Sequence, residues 1–270
     1  VNRRALYLFC FASTESLREA PREGSGLDED IIALTVEDVT AFISEVPRQD
    51  FEGSDAEKRL QDISWVGPRA LRHGEIISNI MRWSPVFPAP FGALFSSERT
   101  LLGLVTRNYE TIRAFLERAR GSEEWSVKAL FSRLDATEAL FRDMLEDHSQ
   151  DLASTPPGLR YFRERQIRAQ ADKVIGSWLK TVCGKVSEAL HACSRDSVKR
   201  PLTSLSVDPG GKETILNWAF LVGSDRVQEL RSVVERANSE FQERGLVFQM
   251  SGPWPPYSFC PSLVLEDAES

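Results

Sequence analysis

Histidine, methionine and cysteine are scarce in this 270-residue chain, with three, three and four copies. His73, His148 and His191 stand far apart, with no His or Cys at i+4 and no CxxC pattern, so no metal site is expected. Cys10, Cys183, Cys193 and Cys260 are scattered without ligand spacing, which points to reduced thiols in a reducing, cytoplasmic compartment. Cys10 lies inside an apolar run and reads as a small buried hydrophobe. No apolar run approaches the roughly 18 residues that a membrane span needs. The run Ala5 to Ala12 is too short for a secretory leader and meets no cleavage site, so no leader is expected. Basic charge is not in excess: 40 acidic residues against 33 basic give a net charge of −7, which argues against a phosphate-backbone partner and hence nucleic acid.

Catalytic signatures are missing as well. There is no G-x-x-x-x-G-K-[ST], G-x-G-x-x-G or G-x-S-x-G, and Gly210-Gly211-Lys212 reads as a hairpin turn rather than a phosphate loop. No catalytic, cofactor-binding or metal residues are therefore assigned, and no cofactor. An enzyme whose groups converge from distant positions, in a cleft between sheet and helices, stays open as the alternative. No solenoid-length repeat or low-complexity tract is visible.

What is present is an ordinary globular composition, 41% hydrophobic and 27% charged, in a length that suits two moderate cores. Ala5 to Ala12 reads as a strand buried on both faces, Ser13 to Asp30 as a mobile loop, and Ile31–Val36 with Val39–Ile43 as a hairpin turning at Glu37-Asp38. Ser54 to Glu57 has the form of a capping box opening a helix through Trp65. Gly67-Pro68 should break it and start a second helix to about Trp83, with Leu71, Ile76, Ile77, Ile80 and Met81 facing the core. In Pro85 to Phe95 only the second half is expected to pair as a strand. Ser96 or Ser97 should cap one long helix that carries Leu101, Val105, Ile112 and Leu116 and stops at Gly121.

The pattern restarts at Glu123. A strand over Trp125–Phe131 is followed by a helix from about Asp135 to His148 and a long helical stretch from about Leu159 to Cys193. Strands over Leu202–Val207 and Thr214–Val222 are joined by the turn Asp208 to Gly211. A helix opened by an Asp225/Gln228 capping box and stopped by Gly245 leads to a last strand, Leu246–Met250. The fold class is thus α+β in two domains: a mixed α/β unit over 1–121 and a ferredoxin-like βαββαβ domain over 122–250. An extended arm and tail over 251–270 completes the chain. RNA-binding modules share the ferredoxin-like order, but the strand with Trp218 and Phe220 has no Gly or basic residue, so those rings and Asn217 read as a packed strand face.

The arm is Ser251-Gly252-Pro253-Trp254-Pro255-Pro256-Tyr257-Ser258-Phe259. Its prolines fix φ and remove donors, so it should be an extended, polyproline-like segment that lies on something. Two readings stand: Trp254, Tyr257 and Phe259 dock on the arm's own protein, or they bind a partner. The first is preferred, and a Trp254 mostly exposed to solvent would reverse that preference.

G-P-W-P-P-Y-S-F at this position resembles the closing motif of the gas vesicle protein F/L family. Similar segments occur in order through the chain: Ala5–Phe9, His73 eight residues after Trp65, Pro85–Phe95, Glu124–Lys128, Gly158 with Tyr161, and Leu216–Val222. The resemblance implies a minor structural or assembly protein of the gas vesicle, not an enzyme. Its partners would be the major shell protein and other accessory proteins. It supplies no catalytic residues. The candidate partner-binding or arm-docking residues are Trp254, Pro255, Pro256, Tyr257 and Phe259, with Phe91 and Phe95 of the second proline-rich segment. His73 matches a family position but is followed by Gly74 rather than an acid, so a structural hydrogen bond is expected of it.

Overall fold

The computed structural model describes residues 4–18, 30–53, 55–202 and 211–264. The chain forms two compact units: Val1–Glu124 with Pro253–Ser270, and Trp125–Gly252. Both mix helix and sheet, and among the described residues no helix is long and apolar enough to cross a membrane.

The first unit is built on β1 (Arg4–Ser13), followed by α1 (Thr14–Arg18) and the hairpin β2 (Ile32–Val36) and β3 (Val39–Pro47). Glu37 takes the left-handed φ of 54° that the two-residue turn demands. β3 pairs antiparallel with β1, with a register shift between Leu8 and Cys10. The extra residue reverses the side-chain alternation. Tyr7 and Phe9 before it, and Cys10 and Ala12 after it, reach one buried cluster, while Phe11 meets Phe87 at 6.1 Å on the other face.

Next come α2 (Ala56–Gln61) and α3 (Ile63–Met81). Ser54, the capping residue of the expected box, lies outside the described residues; Asp55, which stands at the cap of α2, makes no side-chain cap bond. Asp62 caps α3 instead, accepting from the Ser64 N–H at 2.9 Å. The break expected at Gly67-Pro68 does not occur. Pro68 is the sixth residue of α3, so the bond it forfeits is to the Ser64 carbonyl in an exposed first turn, where water can replace it. His73, Ile76, Ile77 and Ile80 form the buried stripe, and Leu71 is 69% exposed. At 100° per residue Leu71 lies 200° from His73, on the opposite side of the helix.

β4 (Val86–Pro88) and β5 (Leu94–Phe95) both pair antiparallel with β1, opposite Cys10–Ala12 and Leu6–Tyr7. The first half of the proline-rich segment therefore pairs too, which corrects the expectation. The sheet order β2-β3-β1-β4 makes β4 an edge, where Pro88 sacrifices no ladder bond. Between the two short strands, the Ala89 N–H donates to the Phe9 carbonyl and the Leu8 N–H to the Ala93 carbonyl, both at 2.9 Å. The long helix is in fact two, α4 (Glu98–Arg107) and α5 (Tyr109–Ala119), parted at Asn108. Ser97 and Thr100 form a reciprocal capping box, and Gly121 has φ of 61° just past the end of α5.

The second unit draws on β6 (Ser122–Phe131, from Trp125 on), α6 (Arg133–Asp147), α7 (Ser149–Ser154), α8 (Pro157–Ala192), β7 (Asp196–Lys199), β8 (Glu213–Gly223), α9 (Val227–Phe241) and β9 (Leu246–Trp254, up to Gly252). The sheet order is β7-β8-β6-β9, and β7 and β8 run antiparallel. Alternate residues of three strands (Val127 and Phe131, Phe220 and Val222, Leu246 and Phe248) share one core with Ile175 and Leu190 of α8 and Leu230 of α9. Helices thus cover that sheet face, as the period-2 and period-3.6 patterns require. The described strand before β8 is Asp196–Lys199. Leu202 is not in a strand, and the rest of the expected strand, with most of its turn, falls outside the described residues. The Asp225/Gln228 capping box is not formed, because a single turn over Ser224–Arg226 leads into α9 with Arg226 at the cap. Gly245 has φ of 72°, and a Cβ there would stand 2.7 Å from the Ser132 carbonyl oxygen. β9 continues past Met250 to Trp254. Being an edge strand, it tolerates Pro253.

Candidate functional site

The arm leaves β9 through Gly252, whose φ of 147° lies where side chains with a Cβ rarely go. Pro255 and Pro256 are buried, and a single turn over Tyr257–Phe259 buries Phe259 to 6% exposure. Trp254 keeps 48% of its surface in water and Tyr257 40%. The residues of the arm thus divide by burial. Pro255, Pro256 and Phe259 are buried, whereas Trp254 and Tyr257 stay partly exposed, the Tyr257 phenol being the more shielded. Prolines suit burial here because they are apolar and bring no N–H that needs a partner.

Two polar fasteners hold the arm down, and neither was foreseen. Glu124, 1% exposed, accepts from the Ser258 backbone N–H at 2.9 Å and from the Ser258 hydroxyl at 3.0 Å. Asn108, 3% exposed, accepts from the Val264 N–H at 2.8 Å and donates to the Val264 carbonyl at 3.0 Å and the Leu104 carbonyl at 2.9 Å. Asn108 stands at the break between α4 and α5: its backbone N–H closes α4 on the Leu104 carbonyl, and its side chain pairs with the Val264 backbone. The Cys260 thiol donates weakly to the Pro256 carbonyl, and burial, reinforced by Glu124, pushes its pKa up to about 12. Burial likewise raises the Tyr257 phenol.

Phe91 belongs to a second cluster, around His73. The Gly92 N–H donates to the Tyr7 oxygen at 3.2 Å, Tyr7 donates to His73 Nδ1 at 2.9 Å, and His73 Nε2–H donates to the Ala89 carbonyl at 3.1 Å. A carbonyl can only accept, so this chain fixes the tautomer. Burial lowers the His73 pKa, against the opposing Ala89 bond, and raises Tyr7 to about 12. With both ring nitrogens occupied, His73 serves as a strut between β1, α3 and the 89–92 loop. Phe91 stands edge-on to it at 5.8 Å. Beside them lies an open cleft of about 240 Å³ whose rim carries Arg69, Arg72, Asp30 and Asp50. Phe95 sits on β5 opposite Leu6, half-buried.

The remaining chemistry is quiet. Burial pushes the Cys10 thiol up, and among the described residues no group of three His, Cys, Asp or Glu could hold a metal ion. Trp218 stacks on Phe220 at 5.9 Å and meets the edge of His191 at 4.6 Å, so these rings are packed under α8 rather than presented as an open stacking platform.

A profile of the family described as gas vesicle synthesis protein GvpL/GvpF matches residues 5–261. Gas vesicle protein L of Streptomyces sp. (strain CB03234) is 27% identical over 227 residues, 83% of this chain and 80% of that protein. Gas vesicle protein L1 of Halobacterium salinarum is 20% identical over 267 residues, 95% of this chain and 90% of that one. The fold is also similar to the crystal structure of GvpF from Anabaena sp. PCC7120, with a TM-score of 0.65 at 17% identity over 98% of this chain and 99% of that one. GvpF from Microcystis aeruginosa gives 0.63 at 14% identity, over 96% and 99%.

Proposed function

The chain belongs to the gas vesicle synthesis protein GvpL/GvpF family, and on that premise we propose that it binds the major gas vesicle shell protein and supports assembly of the vesicle, with no turnover of its own. A shell subunit must be strongly apolar on the face that excludes water, and before assembly that face invites aggregation. A surface that holds it needs exposed apolar area whose conformation is already fixed, so that little entropy is lost on contact. The observation that carries the reading is the arm, where Glu124 and Asn108 clamp the backbone while Trp254 and Tyr257 remain half in water.

We further read the chain as two domains, 1–121 and 122–250, with the arm over 251–270 returning to the first. The division of the compact units at Glu124/Trp125 supports this. We read the second domain as ferredoxin-like, a reading supported by the sheet order β7-β8-β6-β9 with helices on one face.

Co-expression with the shell protein and recovery of the complex provides the test. Apolar and backbone contacts should survive about 1 M salt, where exposed charges are screened within roughly 3 Å. Trp254→Ala with Tyr257→Ala should weaken recovery about tenfold while leaving the chain folded. Failure to recover shell protein at low or high salt, with vesicles forming normally when the gene is deleted and no paralogue is present, would overturn the proposal.

A further inference from the structure

A groove of about 560 Å³ runs between α8 and α9, distinct from the arm. Its direction is fixed at both ends. Trp178 meets Phe241 edge-to-face at 6.2 Å, and Arg226 donates to the Ala192 carbonyl at 2.9 Å. The two helices are therefore antiparallel over the 15 residues from Trp178 to Ala192, a rise of about 21 Å at 1.5 Å per residue. The buried floor is made by Val182 and Val186 from α8 and by Val233 and Ala237 from α9, in each case four residues apart. Two such rows leave a furrow that accepts the ridge of a third helix.

The rim has its own chemistry. In this unit Arg133, Arg168, Arg226 and Arg244 are each paired with a carboxylate. Lys185 and Arg236 are exposed at the groove and have no ion-pair partner among the described residues. Glu240 is the one acid among the lining residues. A chain of net charge −7 thus keeps unspent positive charge beside an apolar furrow. The exposed apolar helical segment of this chain at Leu159 and Phe162 is flanked by Arg160, Arg163 and Arg165, so a second copy presenting that segment would bring like charge to the rim.

We propose that the α8/α9 groove is a docking site for an amphipathic helix of about four turns from a different chain, its apolar stripe flanked by carboxylates. Lys185 and Arg236 select the charge, and the valine floor takes the stripe.

The test is calorimetric titration of the full chain with three synthetic 14-residue amphipathic helices. They share one leucine stripe and carry Glu, Gln or Lys at the flanking positions. Affinity should fall in the order Glu, Gln, Lys, with about a tenfold span between the extremes, and the order should reverse in the Lys185→Glu/Arg236→Glu double variant. Both positions are exposed, and circular dichroism checks that the variant is folded. Equal affinities, no binding up to about 1 mM, or an order unchanged in the double variant would each overturn the proposal. Because the arm is untouched, these outcomes are independent of the shell-protein test.

Discussion

In the first unit, buried side chains reach across long stretches of sequence to hydrogen-bond. Tyr7 meets His73 66 positions away, Ser84 accepts from the backbone of Ser13 71 positions away, and the Glu124–Ser258 and Asn108–Val264 bonds span 134 and 156. In the second unit, Ile175, Leu190, Phe220 and Leu230 are fully buried in one continuous apolar core. Its Asn238–Phe248 double bond spans ten positions. The first unit gathers discontinuous segments, including the far end of the chain, and directional bonds fix which segment goes where. The second is a nearly continuous stretch whose periodic faces find each other by area. The two should therefore fail differently: the first through lost partners and protonation, the second through lost volume.

The largest effect should come from truncating the apolar core. Phe220→Ala removes a fully buried ring and should cost about 3–5 kcal/mol of the second unit's stability. Chemical denaturation, with hydrogen exchange to tell the units apart, checks this. A loss shared equally by the first unit would break the comparison.

Next in size is Asn108→Ala. It removes both side-chain bonds to the Val264 backbone, while the Leu104 carbonyl keeps the backbone N–H of residue 108; two net hydrogen bonds at about 0.5–1.5 kcal/mol each put the loss at about 1–3 kcal/mol. Exchange of the Val264 amide should accelerate before any global change. Protection unchanged at Val264 would remove Asn108 as a fastener.

Acid should discriminate between the units too. His73 is held neutral, with its pKa depressed by burial, so the unfolded chain binds a proton more readily than the folded one. Its contribution to stability is full above the unfolded value near 6.5 and is lost as pH falls through the folded pKa. The slope in that window is at most about 1.4 kcal/mol per pH unit. His73→Gln should lower stability at neutral pH yet flatten this acid slope in the first unit. An identical slope in the variant would assign the acid sensitivity to other groups.

How far the sequence revealed these differences follows from their physics. Periodic burial was readable: β1, β8 and the α9 stripe from Leu230 to Ala237 follow from spacing alone, and Gly121 and Gly245 stop helices where expected. Edge position is not readable, because nothing local distinguishes a central strand from an outer one, so the spacing leaves Pro88 outside the pairing and ends the last strand at Met250, short of Pro253. Asn108 left a signal, since it sits on the apolar stripe between Leu104 and Ile112, where a polar residue demands a partner. Glu124 left none. At the start of a strand it reads as solvated, and its partner lies 134 residues away. The arm's composition identified a contact segment, but not that its prolines would be buried while Trp254 stayed half in water.

That last point gives the smallest effect on stability and the sharpest separation of folding from function. A fully buried tryptophan costs about 3–5 kcal/mol when truncated. Trp254 keeps 48% of its surface exposed, and the arm can relax into the gap, so Trp254→Ala should cost only about 1 kcal/mol. The fasteners at Ser258 and Val264 lie beyond the ring and should hold the remaining arm in place, leaving their amide protection intact. If the exposed half of the ring is the shell-protein contact, co-purification should drop about tenfold in a protein whose melting curve has scarcely moved. A melting loss of several kcal/mol would make Trp254 a structural residue after all, and normal recovery of shell protein would move the contact to another surface.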